Sequence, residues 1–310
     1  MRVTLIHNPE AGNDDPSSGD ELLRLIRDAG HSVLYQSSKH ADWRQILEEP
    51  PDLVAVAGGD GIVGKVAKQM VGKGVPITIL PMGTANNIAT TFDLKGRRPD
   101  QLIAGWASAR RMKFDVGVAN GPWGSTYFVE GVGLGTFTET MLRLDARKNI
   151  DLSHHDAAEK KITSVLHIMR IRLEGSRAFP LKLSLDGRDL TGNYVLLEAM
   201  NIRSIGPNLR LAADADPGDG LLDIVLVSDG ERENLHQYLS DRIANKQGPL
   251  ALTAHRGRHL HMECDELRLH IDDDVWPSDG QHPPFSPMII DINLHSESLE
   301  LLVPGEGERE

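Results

Sequence analysis

The stretch Val54-Ala-Val-Ala-Gly-Gly-Asp-Gly-Ile-Val-Gly64 decides the fold. Its beginning belongs to the apolar run Asp52–Ala57, which is typical of a strand buried on both faces of a parallel sheet. The glycines permit close approach of other backbone, and a helical pattern follows over Ile62–Val71. Backbone N–H groups in such a turn can bind phosphate oxygens. The stretch therefore predicts a strand, a phosphate-binding turn and a helix, and the alternative is a tight turn without a ligand.

Strand-like and helix-like segments alternate on both sides of this stretch. Val3–Ile6, Ser32–Tyr35 and Pro76–Leu80 have the patterns of strands, and helical segments separate them. This order predicts an α/β fold with a doubly wound parallel sheet. After Arg111, strand patterns dominate, which predicts an antiparallel β-sandwich. We expect a nucleotide-binding domain of residues 1–111 and a β-sandwich-rich domain of residues 112–310, whose last strand can return to the first domain.

Two more polar loops follow predicted strands. One contains Leu80-Pro-Met-Gly-Thr-Ala-Asn86, and the other is His7-Asn-Pro-Glu-Ala-Gly12. Ligands of doubly wound sheets bind beyond the carboxyl ends of the strands, where such loops meet. Three polar, glycine-bearing loops at one sheet edge predict a nucleotide site.

The composition excludes several classes of protein. The 310 residues include 45 acidic and 33 basic ones, a net charge of −12, which disfavours nucleic acid as a partner. Cys264 is the only cysteine, so a disulfide or a multi-thiolate metal site cannot form within one chain. Because neither a signal peptide nor a membrane span is found in the sequence, we expect a cytoplasmic protein.

One segment suggests a different contact. Residues 157–172 have the pattern of a basic amphipathic helix, which can approach anionic lipid heads. The alternative is a helix that packs on the core and has a solvated outer face.

Four motifs together resemble a known family. They are Asn8-Pro9 with Gly12, Gly58-Gly-Asp-Gly61, Pro81-Met-Gly-Thr-Ala-Asn86 and Asp216-Pro-Gly-Asp-Gly-Leu-Leu-Asp223. The sequence resembles the soluble bacterial lipid kinases that have a diacylglycerol kinase catalytic domain, relatives of sphingosine and ceramide kinases. The resemblance implies an NAD kinase/diacylglycerol kinase-like first domain, a C-terminal β-sandwich, and ATP bound between the two.

The resemblance also implies site residues. A magnesium site would use Asp219 with main-chain oxygens of Asp216 and Leu221, and the alternative for this segment is an acidic turn before a strand. Oxygen ligands of this kind suit a hard cation. The residues implied to bind the nucleotide are Asn8, Pro9, Gly12, Ser38, Gly58, Gly59, Asp60, Gly61, Ile62, Val63, Gly64, Gly83, Thr84 and Asn86.

The family also has an Asp-Gly-Glu turn whose carboxylate accepts the proton of the lipid hydroxyl. In this sequence Asp272 matches the aspartate of that turn and Asp274 matches the glutamate. The segment Asp279-Gly-Gln281 is a competing match, although its amide cannot act as a base. The alternative for both segments is a solvated acidic turn.

Ile62 departs from the family pattern. It follows Gly-Gly-Asp-Gly, where the family commonly has threonine, so a hydroxyl is missing whose hydrogen bond to a phosphate is worth about 1.5–3 kcal/mol. Asp60 is expected either to help hold Mg²⁺ or to orient its loop.

These patterns lead to one functional expectation. We expect an ATP- and magnesium-dependent kinase that phosphorylates the hydroxyl of diacylglycerol or a related lipid. It would act on its lipid substrate as a peripheral protein at the inner face of the membrane, and it can form a homodimer. The alternatives are an NAD kinase-like enzyme, and a nucleotide- or lipid-binding protein with little turnover.

Overall fold

The computed structural model describes residues 1–11, 19–49, 51–147, 158–246, 252, 254–265, 268–277 and 287–305. The chain divides into two compact units. The first consists of Met1–Val116 together with the chain from Ser296 onward, and the second is Gly117–His295. The predicted boundary after residue 111 lies near the end of the first segment of unit one.

The first unit contains one six-stranded sheet with helices between its strands. Its elements are β1 (Arg2–His7), α1 (Gly19–Asp28), β2 (Ser32–Ser37), β3 (Leu53–Gly58), α2 (Asp60–Met70), β4 (Ile77–Pro81), α3 (Asn87–Thr91), α4 (Pro99–Ala104), β5 (Arg110–Phe114) and β18 (Leu299–Val303). The sheet order is β2-β1-β3-β4-β18-β5. Strands β1 to β4 are parallel, β18 is parallel to β4, and β5 is antiparallel to β18.

The centre of this sheet is apolar for a simple reason. Every residue of β3 is buried, because helices and loops cover both faces of a parallel strand. Helix α1 contributes Leu22 and Ile26 to the core, in agreement with its amphipathic pattern. The last strand, β18, also lies in this sheet, and its Leu302 carbonyl accepts a hydrogen bond from the Thr78 hydroxyl at 3.0 Å.

The second unit is built on a twelve-stranded, largely antiparallel sheet. Its main path is β16-β15-β8-β11-β9-β14-β17-β6-β7, with β10, β12 and β13 attached at the side. The elements are β6 (Gly117–Gly121), β7 (Gly124–Phe128), β8 (Gly131–Gly135), α5 (Thr136–Arg147), α6 (Ala158–Gly175), β9 (Phe179–Leu185), β10 (Arg188–Asp189), β11 (Gly192–Met200), β12 (Leu222–Ser228), α7 (Arg232–Ile243), β13 (Ala254–Gly257), β14 (His259–Cys264), β15 (Leu269–Ile271), β16 (Asp274–Trp276) and β17 (Met288–Leu294).

Strand β11 connects two apolar clusters of this unit. Leu197 and Ala199 belong to a cluster formed by the strands, whereas Leu196 and Met200 belong to one that includes residues of α6 and α7. Because successive side chains of a strand point to opposite faces, one strand can serve two cores.

The predicted fold class is confirmed. The change from one sheet to the other falls within residues 112–119, which contribute to β5 and β6 in different sheets. Between β2 and β3, residues 42–49 contain a 3₁₀ turn at Gln45–Leu47. Within the part of the chain that the structure describes, no helix has the length and apolar character needed to cross a membrane.

Candidate active site

Four loops of the first unit leave the carboxyl ends of β1 to β4. Backbone hydrogen bonds join them: Ser38 N–H donates to the His7 carbonyl at 2.8 Å, and Asn8 N–H donates to that of Ala57 at 2.9 Å. Met82 N–H donates to the Gly58 carbonyl at 3.0 Å. The structure therefore brings the predicted loops to one edge of one sheet, as expected for parallel strands.

The loops after β3 and β4 touch through their backbones. A Cβ placed on Gly83 would overlap the Cα of Gly59, and one placed on Gly59 would lie 3.1 Å from the Cα of Gly83. This approach is possible only because both residues lack a side chain. The two glycines therefore have a packing role in addition to any contact with phosphate.

The carboxylate of Asp60 connects the same two loops. It accepts hydrogen bonds from the backbone N–H groups of Asn87 at 2.8 Å and Ile88 at 3.0 Å. These donors belong to the first turn of α3, where N–H groups have no partner inside the helix. Of the two roles expected for Asp60, the geometry favours orientation of the loops.

The loop after β4 is closed by its own side chain. Asn86 has a left-handed backbone, with φ of 54°, and its amide donates to the Gly83 carbonyl at 2.6 Å. The Asn86 side-chain oxygen accepts from Gly83 N–H at 2.9 Å. Asn86 is therefore used to shape the loop, whereas Thr84 is exposed to solvent.

The other predicted nucleotide residues differ in accessibility. The Ile62 side chain is directed at Gly58, since a Cβ on Gly58 would overlap it, and both Ile62 and Val63 are buried. Gly64 is also buried, while Gly59 and Gly61 are half-buried. The residues of the β1 loop, Asn8 and Pro9, are described, and Gly12 lies outside the described residues.

In the second unit, the predicted catalytic turn joins β15 to β16. The Asp272 carboxylate accepts hydrogen bonds from three consecutive backbone N–H groups, those of Val129 at 3.1 Å, Glu130 at 2.9 Å and Gly131 at 3.3 Å. Asp272 N–H donates to the Gly131 carbonyl at 2.9 Å. Asp272 has a left-handed backbone, with φ of 50°, so these bonds hold an uncommon conformation.

Asp274 has a different environment. It is exposed at the start of β16, and no side chain among the described residues pairs with its carboxylate. Asp272 and Asp274 thus divide the predicted role, because one carboxylate is held by amides and the other is open to solvent. The competing residues, Asp279 to Gln281, lie outside the described residues.

A buried pair behind this turn was missed by the sequence analysis. His270 Nε2 lies 2.9 Å from Glu198 Oε2, and the two side chains are 2% and 0% exposed. His270 Nδ1 donates to the Asp272 carbonyl at 3.0 Å. The two residues occupy β11 and β15 on either side of Gly133 in β8, and a Cβ on Gly133 would overlap the Glu198 carboxylate.

The hydrogen bonds of His270 require two protons. Nδ1 of His270 must carry a hydrogen, because a carbonyl can only accept, so a second proton lies between Nε2 and Glu198. Burial raises the pKa of the Glu198 carboxyl. Burial alone would lower the pKa of His270, but the Glu198 charge and hydrogen bond outweigh it and raise that pKa. A charged residue within an apolar strand was the available signal for such a pair.

The predicted metal residues already have partners. Asp219 Oδ1 accepts from Leu221 N–H at 2.9 Å, and Asp219 Oδ2 forms an ion pair with Arg256. The Asp216 carbonyl accepts from Asp219 N–H at 3.3 Å. Among the described residues, no group of three or more His, Cys, Asp or Glu side chains is arranged to hold a metal ion. The oxygen donors suit Mg²⁺ chemically, and a cation at Asp219 would compete with the Arg256 guanidinium for the carboxylate.

Comparisons with known proteins bear on both units. Residues 2–119 match the diacylglycerol kinase catalytic domain, and residues 144–293 match the YegS C-terminal NAD kinase beta sandwich-like domain. The chain belongs to the diacylglycerol kinase-like family of lipid kinases. A relative named diacylglycerol kinase, from Mycobacterium tuberculosis (strain CDC 1551 / Oshkosh), is 26% identical over 99% of this chain and 96% of its own.

Solved structures support the fold of this lipid kinase. A diacylglycerol kinase from Bacillus anthracis str. Sterne is 20% identical and has a TM-score of 0.66, over 98% of this chain and 97% of its own. A yeast NADH kinase is 10% identical, with a TM-score of 0.51 over 99% of this chain and 84% of its own. At these identities the likeness establishes the shared fold and no more.

The buried Glu198–His270 pair of the lipid kinase generates a stability prediction. In Glu198→Leu the buried His270 loses its partner, so we expect the free energy of unfolding to fall by about 3–5 kcal/mol. Glu198→Gln keeps one hydrogen bond and should lose less. Urea unfolding measures both variants, and equal losses in the two would show that packing, not the pair, matters here.

Asp223 generates a pH prediction. Burial, followed by the charges of Asp214 and Asp216, raises its pKa from 3.8 to about 6. Between these values the native state binds more protons than the unfolded chain, so the stability contributed by Asp223 falls as pH rises from about 4 to about 6. The loss is up to about 3 kcal/mol and stays constant at higher pH.

The variant Asp223→Asn removes this titration. Its stability relative to the unmodified protein should therefore increase from pH 4 to pH 6 and then level off. Urea unfolding at several pH values measures the difference. Asp214→Asn is the matched control, because it removes one neighbouring charge. It should only narrow the pH range over which the titration of Asp223 changes the stability. Parallel pH profiles for Asp223→Asn and the unmodified protein would contradict the assignment.

Proposed function

We propose that this lipid kinase transfers the γ-phosphate of ATP to a hydroxyl of diacylglycerol or a related lipid, with Mg²⁺ accompanying the nucleotide. The observation that carries the proposal is the joined pair of loops after β3 and β4. Their glycine backbones are in contact, and the Asp60 carboxylate holds the start of α3. Such a joined pair presents backbone N–H groups in a fixed arrangement, which is what a chain of phosphates requires.

Phosphate binding is assigned to the first unit. The N-terminus of α2 has N–H groups without partners inside the helix, and its dipole favours negative charge. Thr84 adds an exposed hydroxyl at the same sheet edge. Ile62 cannot supply the hydroxyl of the usual threonine, so the backbone and Thr84 would have a larger share in holding the phosphates.

Proton acceptance is assigned to Asp274 of the second unit. As the hydroxyl oxygen of the lipid attacks the γ-phosphorus, its proton passes to the Asp274 carboxylate. The bond from the γ-phosphorus to the bridging oxygen breaks, and ADP leaves with that electron pair. The lipid then carries a phosphate monoester. Asp272 acts as a positioning residue, because the hydrogen bonds to its carboxylate hold the turn in which Asp274 begins the next strand.

Two other functions remain as alternatives. An NAD kinase-like enzyme would use the same fold, which a yeast NADH kinase shares. A nucleotide- or lipid-binding protein with little turnover would agree with the missing hydroxyl at Ile62. We also propose a cytoplasmic location with peripheral contact to the inner face of the membrane, where the lipid acceptor is found, and homodimer formation.

The proposed roles are tested with labelled ATP and Mg²⁺. The acceptors are diacylglycerol in mixed micelles, a total lipid extract and NAD. We expect label in a lipid, and a loss of kcat of about 10²–10⁴-fold in Asp274→Asn. The matched control is Asp273→Asn, which removes an exposed neighbouring carboxylate and should retain activity. Equal activity of Asp274→Asn and the unmodified enzyme would refute the role of Asp274. Label on NAD alone would support the alternative.

Asp60→Ala tests the first unit separately. The variant loses two hydrogen bonds to a charged acceptor, each worth about 1.5–3 kcal/mol. The loops after β3 and β4 should then no longer be held in a fixed position relative to each other. We expect the KM for ATP to rise by more than about tenfold, since about 1.4 kcal/mol corresponds to that factor. Circular dichroism checks that the variant is folded. An unchanged KM in a folded variant would contradict the proposal for these loops.

A further inference from the structure

A basic cavity in the second unit is not used by the proposed reaction. It has a volume of about 550 Å³ and lies beside α5 and α6. Among the described residues that line it, four are arginines and only Glu139 is acidic. The arginines are Arg143, Arg172, Arg177 and Arg268.

Three arginines of the cavity have no acidic partner in the described part of the chain. Arg143, Arg172 and Arg177 are exposed, and none of the three forms an ion pair with a carboxylate in the described part of the chain. Other surface arginines of this protein do form such pairs, for example Arg256 with Asp219. In a chain with a net charge of −12, three arginines of this kind at one cavity produce a local positive potential.

The same cavity has apolar walls. Ile168, Phe179 and Val195 line it together with Ile171, which is 62% exposed, and few other large apolar residues within the described ranges are exposed. A free inorganic anion would make no favourable contact with this apolar surface. Arginine guanidinium groups next to isoleucine and phenylalanine complement a molecule with an anionic head and an apolar body.

We propose that this cavity binds the phosphate-bearing headgroup of an anionic membrane phospholipid. The arginines would hold the phosphate, and Ile171 would contact the glycerol and the first methylene groups. This site is distinct in chemistry from that of a neutral lipid acceptor, which carries no charge for four arginines to bind. Binding here requires no phosphate transfer, so the proposal stands or falls independently of the kinase reaction.

Vesicle sedimentation tests the proposal on the full chain. The unmodified protein is mixed with phosphatidylcholine vesicles, with or without phosphatidylglycerol. We expect binding only to the anionic vesicles. Each arginine near an anionic surface contributes a factor of about five, so Arg172→Gln with Arg177→Gln should weaken binding by about 25-fold. Ile171→Ser should also weaken it, but with little change in its dependence on salt.

A matched control separates this cavity from general charge. Arg188 and Arg258 are exposed in the same unit but do not line the cavity, and Arg188→Gln with Arg258→Gln removes the same charge. This control should retain most of the binding. Equal losses in the two double variants would overturn the proposal, as would equal binding to neutral vesicles.

Two further arms complete the test. If the headgroup of a lipid is the ligand, inorganic phosphate at the concentration of accessible lipid should not displace the protein from vesicles. Displacement would show a site for free phosphate instead. Phosphorylation of diacylglycerol in neutral detergent micelles is measured for both double variants. Retained turnover with lost vesicle binding supports a separate lipid site, whereas turnover lost in the cavity variant alone would identify the cavity as part of the acceptor site and overturn the proposal.

Discussion

The close approach of the backbones at Gly59 and Gly83 is the constraint on which the first unit's candidate site depends. No side chain fits between these residues, so the loops after β3 and β4 can meet only as bare backbone. The Asp60 carboxylate then holds the two loops together by accepting hydrogen bonds from two N–H groups of α3. An acidic residue among glycines is easily taken for a metal ligand. Here its hydrogen bonds give it a different role, which is to hold the two loops together.

In the second unit, buried contacts hold the turn that precedes Asp274. Asp272 has a left-handed backbone that costs energy for a residue other than glycine, and three amides together with His270 hold it there. His270 in turn depends on Glu198, and their contact is possible because Gly133 lies between them without a side chain. The exposed Asp274 thus begins a strand whose position is determined by buried groups.

The sequence was sufficient for the parts that depend on short-range patterns. Alternating apolar segments predicted the parallel sheet, and the glycine-bearing loops were correctly expected at one edge, since parallel strands leave no other place for them. Sequence patterns could not predict the Glu198–His270 pair or the ion pair between Asp219 and Arg256. Their partners are far apart in the chain, and only the register of the strands brings them together. The different tasks of Asp272 and Asp274 could not be predicted for the same reason.

One physical rule connects the acidic loop with the basic cavity. Charges of one sign that gather on a protein create a local potential, which a partner from the chain or a bound ligand reduces. Around Asp219 and Asp223 the chain supplies Arg256, so a divalent cation has less to gain there. At Arg143, Arg172 and Arg177 the described chain supplies no carboxylate within ion-pair distance, although the protein as a whole has twelve more acids than bases. The acidic loop is thus paired within the chain, whereas the three arginines of the cavity are paired only when an anion from outside binds.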